Sequence, residues 1–165
     1  MDLPKRKPTR LKGYDYSSPG TYFITICVKD RKELLSRIVV GQGLAPAENY
    51  LSVYGSVAKE QIELLENRYQ GVKIDKYVIM PNHIHLLIAK SEVSAGASPC
   101  PTISDVICSF KSLTTKMCKE KGLNEVLFQT SFHDHIIRGE KDYQKIWEYI
   151  DTNVLRWEKD CFYNG

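Results

Sequence analysis

The 165-residue chain has no stretch approaching the roughly 18 consecutive apolar residues that a membrane-spanning helix needs. Its opening, MDLPKRKPTR, carries charge with no apolar run behind it, so no secretory signal is expected. Cys-x-x-Cys spacing is also absent. The five cysteines (Cys27, Cys100, Cys108, Cys118, Cys161) are an odd number, which argues against a disulfide framework or a cysteine-built zinc site and fits a reducing cytoplasm. There is no internal repeat and no strong charge of one sign. The net charge is only +3, which permits a polyanionic partner without requiring one. What remains is 42% hydrophobic and 26% charged residues, the balance of a single globular domain spanning 1–165.

Residues 1–12 concentrate Lys5, Arg6, Lys7, Arg10 and Lys12 around Pro4 and Pro8, and so read as a flexible basic arm. Pro19-Gly20 marks a turn, after which 22–28 reads as a strand whose face Tyr22, Ile24, Ile26 and Val28 is apolar. A Gly/Pro/Ala-rich loop or hairpin tip follows at 40–48, then a helix over 53–69 that ends at Gly71. Strands are expected at 72–80 and 83–89, joined through Met80-Pro81-Asn82. Thr102 or Ser104 caps a helix reaching about Lys121, with Ile103, Val106, Ile107, Phe110, Leu113 and Met117 as its buried stripe. After an extended stretch over 127–138, a last helix is expected from Glu140 to about Trp157. Tightly linked strands interleaved with helices predict an α+β fold, a ferredoxin-like antiparallel β-sheet with packed helices.

Two features carry chemistry. On a strand, His83 and His85 project to one side about 7 Å apart, leaving Ile84, Leu86 and Ile88 for the core face. Such a pair is either two half-exposed histidines or, given a third ligand, a divalent-cation site. His133-Asp134-His135 repeats the pattern beside apolar neighbours and suits a structural or substrate-contact role better than ligation. On the last helix Tyr149 and Asn153 are four apart and share a face bordering the buried stripe. There Tyr149 either packs at the core edge with a wet hydroxyl or faces a groove on the sheet.

Taken together the motifs resemble a known family. Tyr77-Val-Ile-Met-Pro-Asn-His83-Ile-His85-Leu-Leu-Ile looks like the signature strand of the single-tyrosine HUH transposases, where U is a bulky apolar residue. Arg10-Leu, Tyr14-Asp-Tyr16 and Gly20-Thr-Tyr-Phe-Ile-Thr25 resemble the opening of their REP-associated tyrosine transposase branch. Phe128-Gln129, Phe132-His-Asp134, Ile137-Arg138 and Tyr149-Ile-Asp-Thr-Asn153 resemble its closing section. The resemblance implies that Tyr149 attacks single-stranded DNA to give a 5′-phosphotyrosine and a free 3′-hydroxyl. It further implies that His83 and His85 bind a divalent cation (Mg²⁺ or Mn²⁺), with Asn153 as third ligand, and that hairpin-bearing DNA is the substrate. It leaves open a monomer or a homodimer, in which the tyrosine helix acts within its own chain or on its partner. One departure is Val154, where the branch commonly has proline; valine lets the helix continue toward Trp157.

Backbone contacts to DNA are expected from Lys5, Arg6, Lys7, Arg10, Lys12, Lys111, Lys116, Lys119 and Arg138, and base contacts from Tyr14, Tyr16 and Phe132. No residue stands out as a general base. Two other readings are a catalytically inactive, domesticated single-stranded DNA-binding module of the same fold, and a metal-dependent phosphodiesterase in which water attacks.

Overall fold

The computed structural model describes residues 10–41, 46–94 and 101–165; Lys5, Arg6 and Lys7 of the basic arm lie outside the described residues. Strand β1 (Gly20–Cys27) leads through a short 3-10 turn to a hairpin of β2 (Ser36–Val39) and β3 (Glu48–Leu51). Helices α1 (Val53–Glu63) and α2 (Leu65–Arg68) precede β4 (Val72–Ile79) and β5 (His83–Lys90). Then come α3 (Ile103–Glu120), β6 (His133–Ile136) and α4 (Glu140–Thr152), followed by a 3-10 segment, Val154–Lys159.

The main sheet runs β4-β5-β1-β6 and each neighbouring pair is antiparallel. With α1 between β1 and β4, and α3 between β5 and β6, this is the split βαβ arrangement of a ferredoxin-like α+β fold. The β2–β3 hairpin is an insertion between β1 and α1.

Alternation along β1 and β5 sets the two faces. Tyr22, Ile24, Ile26 and Val28 are fully buried, as are Ile84, Leu86 and Ile88, and they meet Val57, Ala58 and Ile62 of α1 and Ile103, Val106, Ile107 and Phe110 of α3. The opposite face carries Thr25 and His85, which are register partners, and is covered by α4 and the chain beyond it.

The helices differ from expectation in three respects. The single helix expected over 53–69 breaks at Leu64, whose ψ of −11° departs from the helical value. Beyond the break, the Glu66 carboxylate accepts from the backbone N–H of Ile74, beside the point where the β4–β5 ladder shifts register. On α3, Thr114 and Cys118 are buried where Leu113 and Met117 had been expected; those two are half-buried. Close approach to α1 selects the smaller side chains, since the Cys118 thiol lies 4.0 Å from the Tyr54 carbonyl oxygen. Finally, α4 ends at Thr152 rather than running on to Trp157.

Thr102 does cap α3, in a full capping box: its hydroxyl accepts from the Asp105 N–H at 3.2 Å and the Asp105 carboxylate accepts from the Thr102 N–H at 2.8 Å. Thr102→Ala is therefore expected to lower unfolding free energy by about 1 kcal/mol in urea titration. A change below about 0.3 kcal/mol would show that packing alone holds this terminus.

Candidate active site

The turn Met80-Pro81-Asn82 launches β5 so that both histidines start a strand held on each side, by β4 and by β1. His83 and His85 are 0% and 1% exposed, so they are not the half-wet pair that a bare His-x-His suggests. Their rings lie 4.5 Å apart. Each is fixed by a second residue. The Asn82 amide nitrogen donates to the carbonyls of Phe162 (2.7 Å) and Arg31 (3.3 Å), which turns its oxygen toward His83 Nδ1 at 2.9 Å. His83 therefore carries its proton on Nδ1, leaving the Nε2 lone pair free. His85 Nδ1 meets the Thr25 hydroxyl at 2.9 Å, across the β1–β5 ladder.

Burial pulls the His83 pKa down to about 4, against the opposing pull of the Asp160 carboxylate. Burial, reinforced by His83, also holds His85 well below its usual value. Both imidazoles are thus neutral near pH 7, the form in which a histidine binds a cation.

Tyr149 comes to this pair within the same chain. Its hydroxyl lies 3.4 Å from His85 Nε2, and its ring stands edge-on to Phe23 of β1 at 6.0 Å. Burial raises the phenol pKa, as does the Asp160 charge, while the Asn153 amide lowers it. Asn153 is 2% exposed, one turn beyond Tyr149, and its Nδ2 donates to Asp160 at 3.1 Å.

Asp160 escapes the sequence reading. Its carboxylate joins the two imidazoles in a group whose ligand atoms all lie within 4.8 Å of one another. Among the described residues, His83 Nε2 and Asn153 Oδ1 are buried with no hydrogen-bond partner. Two neutral imidazoles, one of them with an orphaned nitrogen, a carboxylate and the orphaned Asn153 amide oxygen fit a divalent cation. The sequence did carry a signal for Asp160: positions 149, 153, 156 and 160 are spaced to share one helical face. The 3-10 segment completes the placement, for Asn153 keeps helical angles while the following residues tighten to i→i+3 bonds, Arg156 N–H to Asn153 O and Asp160 N–H to Trp157 O. The α-helix thus stops where the branch's proline would stop it, although valine stands there. Trp157 is buried within 6.1 Å of the His83 ring, and Phe162 lies across the same ring at 4.4 Å.

Other expected contacts lie elsewhere. Tyr14 and Tyr16 pack with Tyr22 toward the Gly20 end of β1, whereas His83 pairs with Cys27 at the other end. Arg10 sits over Phe132 at 4.9 Å, and Phe132 is itself buried. Lys111 donates to the carbonyls of Gln129 (2.6 Å) and Thr130 (2.8 Å). Lys12 and Arg138 are exposed. The second histidine pair is separate from the first: His135 meets Asp142 at 2.8 Å and ties β6 to the first turn of α4.

No known protein-family profile matches the chain. A Haemophilus influenzae protein with the provisional name REP-associated tyrosine transposase is 26% identical over 149 residues, covering 86% of this chain and 74% of that protein. The structure of a REP-associated tyrosine transposase bound to a REP hairpin superposes with a TM-score of 0.61 at 22% identity, covering 95% of this chain and 74% of the other. In sequence and in fold the chain resembles the REP-associated tyrosine transposases. An uncharacterised Haemophilus influenzae protein is 34% identical over 173 residues, covering 96% of this chain and 93% of the relative. The fold also matches, at a TM-score of 0.51 and 16% identity, a Deinococcus radiodurans protein provisionally described as a transposase, covering 87% of this chain and 95% of that one. This likeness in fold and sequence supports a transposase-like function. Among the described residues, no helix is long and apolar enough to cross a membrane.

Proposed function

We propose that this protein is a transposase that cleaves and rejoins hairpin-bearing single-stranded DNA through a 5′-phosphotyrosine on Tyr149. The observation that carries this reading is the Tyr149 hydroxyl 3.4 Å from His85 Nε2, beside a buried imidazole pair in the same chain. A relative of the same fold is described in complex with a REP hairpin, which supports the substrate class.

In this reading the phenol oxygen attacks phosphorus in line and the bond from phosphorus to the 3′-oxygen breaks. The phenol proton leaves to water, and the departing 3′-oxygen takes a proton from water. One phosphoester replaces another, so rejoining needs no nucleotide cofactor. The high phenol pKa is the obstacle, and a nearby positive charge lowers it. His83, His85 and Asp160, with Asn153 Oδ1 adjoining, would hold a divalent cation. Such an ion supplies charge against the non-bridging phosphate oxygens. Two imidazoles and one carboxylate suit Mn²⁺ better than Mg²⁺, because nitrogen ligands raise affinity along the divalent series. Asn82 holds the His83 ring in the tautomer that ligation needs, and Thr25 fixes the orientation of the His85 ring. A silent binding module would have no use for desolvated imidazoles aimed at a phenol.

The test is a denaturing gel with a labelled hairpin strand. Wild-type protein with Mn²⁺ is expected to form a covalent adduct, with less at equal Mg²⁺. Chelation should abolish the adduct and leave native hairpin binding intact. Binding without cleavage under any cation would favour the silent module. Cleavage without an adduct would make water the attacker.

A further inference from the structure

Beyond the tyrosine, the 3-10 segment builds a feature that neither the family resemblance nor the cation cluster accounts for. In a 3-10 helix residues three apart eclipse one another. Asn153, Arg156 and Lys159 therefore stand in one column, continuing the stripe that Tyr149 begins. Had the α-helix continued, Lys159 would be rotated about 120° from Asn153, at 100° per residue. These four side chains, with Asp160 and Cys161, line one cavity of about 610 Å³, large enough for a nucleotide-sized group.

The charges in this cavity are not balanced among themselves. Arg156 and Lys159 are exposed and form no ion pair with any described carboxylate. Asp160, the acid lining the same cavity, is already engaged by the Asn153 amide (3.1 Å) and by the Phe162 N–H (2.8 Å). Two free cations thus face a space that also holds the Tyr149 phenol. They stand about 6 Å apart along the axis, from three steps of roughly 2 Å.

The geometry points to a phosphate clamp: Arg156, nearer the tyrosine, binds the non-bridging oxygens of the scissile phosphodiester, and Lys159 binds the next phosphate of the same strand. The inference rests on the phosphotyrosine reading above and assigns these side chains within it. Arginine at the reacting phosphate presents paired N–H donors matched to two oxygens, while lysine acts as a point charge on the flank. Charge grows on the equatorial oxygens in the transition state, so Arg156 should act on rate and Lys159 on affinity.

Single-turnover adduct formation at saturating hairpin strand tests this, alongside binding measured by fluorescence anisotropy over a salt series. Arg156→Ala is expected to slow the adduct step at least 100-fold, and Arg156→Lys to recover part of that rate. Lys159→Ala should weaken binding about tenfold and reduce the salt slope by about one. Replacing the flanking phosphate with a neutral methylphosphonate should weaken binding equally, and should add nothing to Lys159→Ala. The clamp is refuted if Arg156→Ala reacts within threefold of wild type, or if the Lys159→Ala loss is unchanged on the neutralised strand. Should wild type form no adduct at all, the phosphotyrosine reading fails, while the methylphosphonate binding arm still decides whether Lys159 holds a phosphate.

Discussion

Tyr149→Phe is expected to abolish the covalent adduct, lowering its rate by a factor of about 10⁴ or more, while hairpin affinity and thermal stability stay near wild type. Losing a nucleophile has an effect of that size because the remaining groups have nothing to position. The conservative change isolates the hydroxyl. Phenylalanine keeps the ring that packs against Phe23 and the His85 imidazole at 5.3 Å. The hydroxyl's contact with His85 is long and partly wet, so its removal should cost under about 1 kcal/mol. Mass spectrometry of the wild-type adduct after nuclease digestion should place the nucleotide remnant on Tyr149. An adduct persisting in Tyr149→Phe would assign the chemistry to another residue, and Tyr77, Tyr143 or Tyr163 would need the same mapping.

Gly55→Ala is the largest expected effect on stability. A methyl group built on Gly55 would stand 2.0 Å from the backbone oxygen of Leu35 and 3.0 Å from its carbonyl carbon. Neither belongs to a flexible side chain, so helix or loop must shift. Overpacking against main chain should cost about 3 kcal/mol or more, lowering the melting temperature by roughly 10 °C for a domain of this size. The site should feel it as well. Leu35 donates its N–H to the Pro81 carbonyl at 3.0 Å, and Ser52, which caps α1 and donates to the Leu35 carbonyl at 2.9 Å, sits on the same loop contact. Displacing Leu35 therefore pulls on the Pro81-Asn82 turn that aims His83. A folded Gly55→Ala protein with wild-type melting would show that the loop yields without cost; the measurement is a calorimetric scan with adduct formation followed on the same sample.

Much of the fold follows from alternation and helical spacing. The apolar positions Tyr22, Ile24, Ile26 and Val28 and the partners Ile84, Leu86 and Ile88 are legible because a strand shows one face to the core at every second residue. That rule also put His83 and His85 on one side, and the spacing of four joined Tyr149 to Asn153. Spacing of this kind says nothing of how tightly two helices approach, so the expected stripe holds Leu113 and Met117 where the structure buries the smaller Thr114 and Cys118.

What the residues determined alone is local: which side chains share a face, where caps and turns fall, and that imidazoles, phenol and amide are all present in the family's motif order. Only the tertiary structure decided that the two histidines are dry, that Asn82 sets the His83 tautomer while Thr25 orients the His85 ring, and that Asp160, Arg156 and Lys159 gather around Tyr149. The reason is physical. Periodicity reports contacts within one element, whereas desolvation and convergence depend on the packing of α4 and its 3-10 extension across β5, joined to it by loops whose path no repeat in the sequence encodes.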